Sequence, residues 1–361
     1  MEPVVAVLFV VGLVLLVAGG EALVRGAAGL ASAAGISPIV IGLTVVAFGT
    51  SSPELAVSIG SAFTGETDIV VGNIVGSNIY NVLLILGLSA VIMPLTVGRQ
   101  LVRRDVPLMV LASLGVLLFA LDGSIGRLDG LILVAGLVTW TAWSVIAARA
   151  ETPAESRKAE EEIRSLSSSS RLRQVGLILL GLVMLVIGAR WLVDGAVAVA
   201  TAVGLPPLVI GLTVVAVGTS LPELATSVIA TIRGQRDLAV GNIVGSNLFN
   251  LLGVLGFTAV IAGDVPVPPG ALSFDLPVMV AVAIACLPIF FTGYRIGRAE
   301  GALFLAYAVG YTVYLLATAV EHAEVTALTE ALAFVLLPLT ALTLLILAVR
   351  QWRAHRGMTA G

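Results

Sequence analysis

Apolar runs long enough to cross a bilayer recur along almost the whole chain, separated by short polar connectors. A spanning helix needs about 20 mostly apolar residues. Eleven segments meet that description, at roughly 4–32, 36–63, 68–92, 106–121, 128–148, 174–201, 204–232, 237–262, 274–292, 299–320 and 328–349. The one long polar stretch, 150–173 (AETPAESRKAEEEIRSLSSSSRLR), predicts a linker between two halves. The N-terminal run has no basic leader and is longer than a signal-peptide core, so it is predicted to stay as the first spanning helix.

Composition narrows the class. Of 361 residues, 58% are apolar and 11% charged, whereas a soluble domain carries about a quarter charged residues. A surface so poor in charge faces lipid, which predicts an all-α membrane protein. The net charge of −3 argues for no charged partner, nucleic acid included. Cys286 is the single cysteine, which excludes an intramolecular disulfide and a thiolate metal cluster. His322 and His355 lie in polar end segments, away from any intramembrane chemistry. The chain has no HExxH and no nucleophile with a partner base, so nothing points to an enzyme or to a bound cofactor.

Charge also sets an orientation. With the N-terminus outside, all of the nineteen Arg and Lys residues except Arg25, Arg127 and Arg190 fall on the cytoplasmic side. The outer connectors hold Glu66, Asp68, Asp264, Glu321 and Glu324 instead. This distribution follows the positive-inside rule, and it predicts a multi-pass protein of the cell (inner) membrane with linker and C-terminus cytoplasmic.

The chain contains itself twice. GLTVVAFGTSSPELAVSIG at 42–60 and GLTVVAVGTSLPELATSVI at 211–229 share fourteen of nineteen residues at an offset of 169. The same offset aligns GNIVGSNIYN at 72–81 with GNIVGSNLFN at 241–250. RDVPLMV at 104–110 resembles FDLPVMV at 274–280, and IGRLDG at 125–130 resembles IGRAEG at 296–301. Each repeat therefore covers five helices, and an odd number makes the second copy enter from the opposite face. The predicted organisation is a first repeat over 1–149, a cytoplasmic linker over 150–173, a second, inverted repeat over 174–320, and over 321–361 an extra transmembrane helix with a basic tail. Inverted repeats with broken helices and a midplane site are a transporter pattern.

The closest matches between the repeats carry the chemistry. Pro53 and Pro222 each remove a backbone N–H and crowd the carbonyl four residues back, at Gly49 and Gly218. The helices should unwind there and free carbonyls that protein, water or an ion must satisfy. Thr50, Ser51 and Glu54 follow at helical spacing, and Thr219, Ser220 and Glu223 repeat the set. Intramembrane acids of this kind are expensive and mark ion pathways. In GNIVGSN the glycines Gly72, Gly76, Gly241 and Gly245 allow close helix packing. Asn73, Ser77 and Asn81, like Asn242, Ser246 and Asn250, fall on one helical face at intervals of four. Ser77, Asn81, Ser246 and Asn250 are predicted to line the ion path, and Asn78 and Asn247 to join helices. Each Glu is thus assigned the Thr-Ser pair beside it and a facing Ser/Asn helix. These are hard oxygen ligands suited to Ca2+ rather than to zinc or copper. The Glu21/Arg25 and Arg190/Asp194 pairs read as ordinary i,i+4 ion pairs, and Glu160, Glu161 and Glu162 as a solvated face.

At these residues the chain resembles the cation/calcium antiporter superfamily, in its prokaryotic sodium/calcium exchanger branch. The two alpha-repeat signatures, GTSSPE…GNIVGSNIYN and GTSLPE…GNIVGSNLFN, carry the resemblance. It implies a fold of two inverted five-helix halves, with helices 2, 3, 7 and 8 as a core that helices 1 and 6 slide across. It implies Glu54 and Glu223 as carboxylates shared by Ca2+ and Na+. Thr50, Ser51, Ser77, Thr219, Ser220 and Ser246 would add oxygens, Ala47 and Ala216 backbone carbonyls, and Asn81 and Asn250 would complete the ring. Several exchangers of that family have Asp where this chain has Asn250, so one ionisable group fewer is expected here. The expected activity is Ca2+ export against Na+ by a single chain in the bilayer. Proton/calcium exchange is the nearest alternative, and a cation channel a distant one.

Overall fold

The computed structural model describes residues 3–34, 37–150, 171–202, 204–205, 207–291 and 293–319. The predicted helix at 328–349, the C-terminal tail, the acidic run of the linker and the side chain of Asp194 lie outside the described residues.

Among the described residues ten long helical stretches follow one another: α1 (Pro3–Ala34), α2 (Pro38–Thr64), α3 (Thr67–Ile92), α4 (Leu101–Asp122), α5 (Arg127–Ala150), α6 (Arg171–Ala202), α7 (Leu208–Ile232), α8 (Arg236–Ala262), α9 (Ala271–Phe291) and α10 (Arg298–Ala319). Eight are long and apolar enough to cross a membrane, and the bent α7 makes nine. The chain is a multi-pass membrane protein. α5, with Arg127 and Asp129 in its first turn, falls outside that count.

α3 and α8 form the centre, buried over nearly their whole length. Their glycines explain how they get there. A Cβ on Gly76 would lie 2.8 Å from the Leu212 carbonyl oxygen, and one on Gly245 would lie 2.6 Å from that of Leu43. Each central helix thus lies backbone to backbone against the broken helix of the other half, α3 on α7 and α8 on α2. α1 and α6 pair in the same manner, through Gly12 with Gly188 and Gly19 with Gly181.

Two short antiparallel ladders join connectors from the two halves. Leu95 and Thr96, between α3 and α4, pair with Ile296 and Arg295, between α9 and α10. Ser124 and Ile125, between α4 and α5, pair with Pro266 and Val265, between α8 and α9. The IGRLDG and IGRAEG segments make matching helix starts. The carboxylate of Asp129 accepts from the Gly126 N–H at 2.9 Å, and that of Glu300 from the Gly297 N–H at 3.1 Å.

Helix breaks occur where the prolines are, but in a milder form than unwinding. In α2, Ser51 alone leaves the helical region (φ −84°, ψ 9°), and a new helix starts at Ser52. In α7, Ser220 does the same (φ −84°, ψ 7°), and the two pieces bend by 42°. The physical reason is position: each proline is the second residue of the restarting helix, where a missing N–H costs nothing. Gly65 (φ 80°) and Gly234 (φ 76°) take the left-handed conformation beyond the ends of α2 and α7. Wider π-helical turns at Gly42–Val46 and Gly211–Val215 precede the breaks, and others at Asn81–Leu86 and Phe249–Val254 re-aim the middles of α3 and α8. Such turns collect at functional sites.

Candidate ion-binding site

The breaks in α2 and α7 meet at the centre, flanked by α3 and α8. Glu54 and Glu223 are wholly buried there, and Thr50, Ser51, Ser77, Asn81, Thr219, Ser220, Ser246 and Asn250 are buried as well. Hydrogen bonds tie Ser51, Ser220 and Ser246 directly to the two carboxylates.

The pairing differs from the prediction. Ser51 donates to Oε1 of Glu223 at 2.9 Å, and Ser220 donates to Oε1 of Glu54 at 3.0 Å. Each serine, at the one non-helical residue of its break, therefore serves the carboxylate of the opposite half. Ser246 adds a 3.3 Å bond to Glu223 Oε1 and lies 3.5 Å from the Thr50 hydroxyl. Ser77, its counterpart, turns to the Ala216 carbonyl instead, at 3.2 Å. Asn81 donates to Asn247 Oδ1 at 3.0 Å, so Asn247 joins the halves as expected, whereas Asn78 bonds to the Ile74 carbonyl of its own helix.

The Ala47 and Ala216 carbonyls are present at the breaks but engaged. Ala47 O accepts the Ser51 N–H at 3.0 Å, and Ala216 O the Ser220 N–H at 3.2 Å. Each also lies 3.4 Å from the threonine hydroxyl three residues on. A carbonyl has a second lone pair, so this does not bar further coordination.

What the chain leaves unpaired is informative. Among the described residues, Oε2 of Glu54, Oε2 of Glu223, Oδ1 of Asn81 and both amide atoms of Asn250 are buried with no hydrogen-bond partner, as are single atoms of Ser37, Asn78, Ser89, Gln100, Thr226 and Thr258. Buried polar groups are normally paired, and an exception needs an explanation. Of the five atoms on Glu54, Glu223, Asn81 and Asn250, four are acceptors, two of them carboxylate oxygens. Among the described residues no three Asp, Glu, His or Cys side chains cluster as a metal site. The donor set is instead two carboxylates with hydroxyls, amides and carbonyls, which suits a hard cation.

Sequence reasoning passed over four residues. Asn73 donates to the Glu54 carbonyl (3.1 Å) and to Ser58 (3.0 Å), and it accepts from Thr219 (2.9 Å). Asn242 donates to Ser227 (3.0 Å) and accepts from Thr50 (3.2 Å). Asn73 and Asn242 were visible only as members of a polar face; Ser58 and Ser227 gave the sole further signal of recurring at the repeat offset.

A multi-pass helical bundle with two carboxylates facing each other across broken helices defines a membrane ion carrier. The chain belongs to the sodium/calcium exchanger family, whose profile, described as "Sodium/calcium exchanger protein", matches residues 4–146 and 173–317. The inner membrane protein YrbG of Escherichia coli is 38% identical over 280 residues, covering 77% of this chain and 86% of YrbG. The sodium/calcium exchanger MaX1 of Methanosarcina acetivorans is 32% identical over 341 residues, covering 85% and 97%. The sodium-calcium exchanger NCX_Mj, solved after soaking with 10 mM Na+, is similar in structure, with a TM-score of 0.73 and 32% identity over 86% of this chain and 99% of that one.

Proposed function

We propose that this protein is a secondary antiporter that exports Ca2+ from the cytoplasm in exchange for Na+ by alternating access. The observation that carries the reading is a pair of buried carboxylates, one from each half, each with an Oε2 that has no partner among the described residues. Ca2+ takes 6–8 oxygen ligands, and Glu54 with Glu223 would balance its charge. Thr50, Ser51, Ser77, Asn81, Thr219, Ser220, Ser246, Asn250 and the Ala47 and Ala216 carbonyls supply the remaining oxygens, which Na+ would share. Competition for one set of oxygens makes the loaded carrier the species that reorients. MaX1 and NCX_Mj are both named as sodium/calcium exchangers, which supports the same pair of ions.

The loop ladders support the inverted organisation. Paired connectors lie on one membrane face, so an even number of crossings separates them. Between Leu95–Thr96 and Arg295–Ile296 stand α4, α6, α7, α8 and α9, which makes α5 the sixth crossing. The second ladder requires the same of α5. Five crossings per half then invert the second repeat, 174–320, against the first, 1–149. The basic connectors favour an N-terminus outside and a linker inside, in an inner membrane like the one YrbG is named for.

Calcium-45 uptake into proteoliposomes, driven by an imposed Na+ gradient at clamped pH and voltage, tests the assignment. Uptake that follows only a pH gradient would sink the sodium coupling and favour proton/calcium exchange, which buried carboxyls also serve. Glu54→Gln and Glu223→Gln should each abolish exchange, and full activity in either would remove the site.

A further inference from the structure

We propose that Asn73 and Asn242 are positioning residues of the ion site, each holding a threonine hydroxyl of the opposite half with its proton turned away from the ion; the proposal rests on the ion-binding reading above. A hydroxyl has one proton and two lone pairs. To ligate a cation it must present a lone pair, so its proton needs another acceptor. Thr219 gives its proton to Asn73 Oδ1 at 2.9 Å, and Thr50 gives its own to Asn242 Oδ1 at 3.2 Å.

The amide of Asn73 has only one workable orientation. Its Nδ2 lies 3.1 Å from the Glu54 carbonyl oxygen, which can only accept, so the amide nitrogen faces Glu54 and Oδ1 faces Thr219. Ser58 takes the second proton of Nδ2 at 3.0 Å. Asn242 has the matching bond from Nδ2 to Ser227 at 3.0 Å but lacks the bond to a main-chain carbonyl that orients Asn73. All six side chains are buried.

Each asparagine therefore touches three helices. Asn73, on α3, grips the backbone of α2 at the carboxylate residue itself and reaches across to Thr219 on α7. Asn242, on α8, links Ser227 on α7 with Thr50 on α2. The asparagines sit one helical turn from Ser77 and Ser246, but their own polar atoms are spent on protein. Their role here is to position the threonines rather than to supply the ion's oxygens. They set which lone pairs the threonines offer, and they tie the two broken helices together through the ion site.

The test is a double-mutant cycle in proteoliposomes. The half-saturating Ca2+ concentration and the maximal rate of Na+-driven calcium-45 uptake are measured for Asn73→Leu, Thr219→Val and the double variant. Asn73→Leu should raise the half-saturating concentration by about two- to tenfold, the loss expected when one neutral hydrogen bond goes. The double variant should be no worse than the worse single variant, because both remove the same bond. The cycle is repeated with the milder Asn73→Ala, and with Asn242 and Thr50, so that one poorly folding variant does not decide it. Asn78→Ala is the control, since Asn78 bonds only to its own helix through Nδ2; it should leave half-saturation unchanged. Additive losses, an effect on maximal rate alone, or an equal loss in Asn78→Ala would overturn the proposal while leaving wild-type exchange intact. Wild-type protein that does not exchange Na+ for Ca2+ would overturn the underlying reading instead.

Discussion

Gly245→Ala adds one methyl group at the closest approach of α8 to α2, and its effect can be worked from the structure. The new Cβ would lie 2.6 Å from the Leu43 carbonyl oxygen, 2.7 Å from the Leu43 Cα and 2.8 Å from the Ala47 Cβ. The first of these is about 0.8 Å short of ordinary van der Waals contact. Two of the three atoms are main chain, so no rotamer change relieves them and one helix must shift. Overpacking of this kind costs about 1–3 kcal/mol, and a main-chain clash belongs at the upper end. Alanine recovers about 1 kcal/mol of helix propensity over glycine. The net loss is about 2 kcal/mol, which should lower the thermal midpoint of a chain of this length by roughly 2–3 °C. Because the displaced segment runs straight into Ala47 and Thr50, transport should fall with stability. Gly60→Ala is the comparison: a Cβ there meets nothing within 4 Å, so only the propensity gain remains. Thermal unfolding in detergent and calcium-45 uptake in proteoliposomes read both variants. Gly245→Ala with wild-type midpoint and uptake would show that α8 and α2 are not in main-chain contact.

Three further outcomes follow from other parts of the molecule. Asn250→Asp should strengthen apparent Ca2+ affinity at neutral pH, because both amide atoms of Asn250 lack partners and a third carboxylate adds charge at the centre. That gain should disappear on acidification, as the new group protonates; uptake measured across pH checks both. Tyr311→Phe should destabilise more than Trp140→Phe in detergent melts. Tyr311 donates to buried Asp275 at 2.9 Å, and Trp140 to buried Asp105 at 3.1 Å, but Asp105 keeps Arg104 at 3.0 Å where the second repeat has Phe274. A lost partner for a buried carboxylate costs about 1–3 kcal/mol. Glu21→Gln removes the two-pronged pairing with Arg233 at 2.6 and 3.1 Å. Both side chains reach solvent, so the loss should stay below about 1 kcal/mol and shrink in high salt.

Much of this architecture could be read from residues alone because the repeat offset and the hydropathy runs are independent signals that agree. The broken helices were legible as Pro53 and Pro222, and the residues around them as intramembrane acids with neighbouring hydroxyls. Partnership across the halves was not. Spacing along a helix groups Ser51 with Glu54, whereas the Ser51 hydroxyl donates to Glu223, and no periodicity records it. The start of α4 was also placed late, at 106 rather than Leu101. Arg103 and Arg104 read as connector by hydropathy, yet Arg104 sits within the helix and pairs with Asp105. Glu21 was recognised as the partner of Arg25, but Arg233, distant in sequence, could not be found from an i,i+4 rule.

The two loop ladders have a bearing on how the halves stay joined. One ladder clasps them at each end of the bundle, Thr96 with Arg295 at one and Ile125 with Val265 at the other. Together with the exchanged serines at the centre, they make three points of attachment that do not depend on the covalent link through 150–173. The contacts between the two repeats are thus of the kind that join the subunits of a heterodimer.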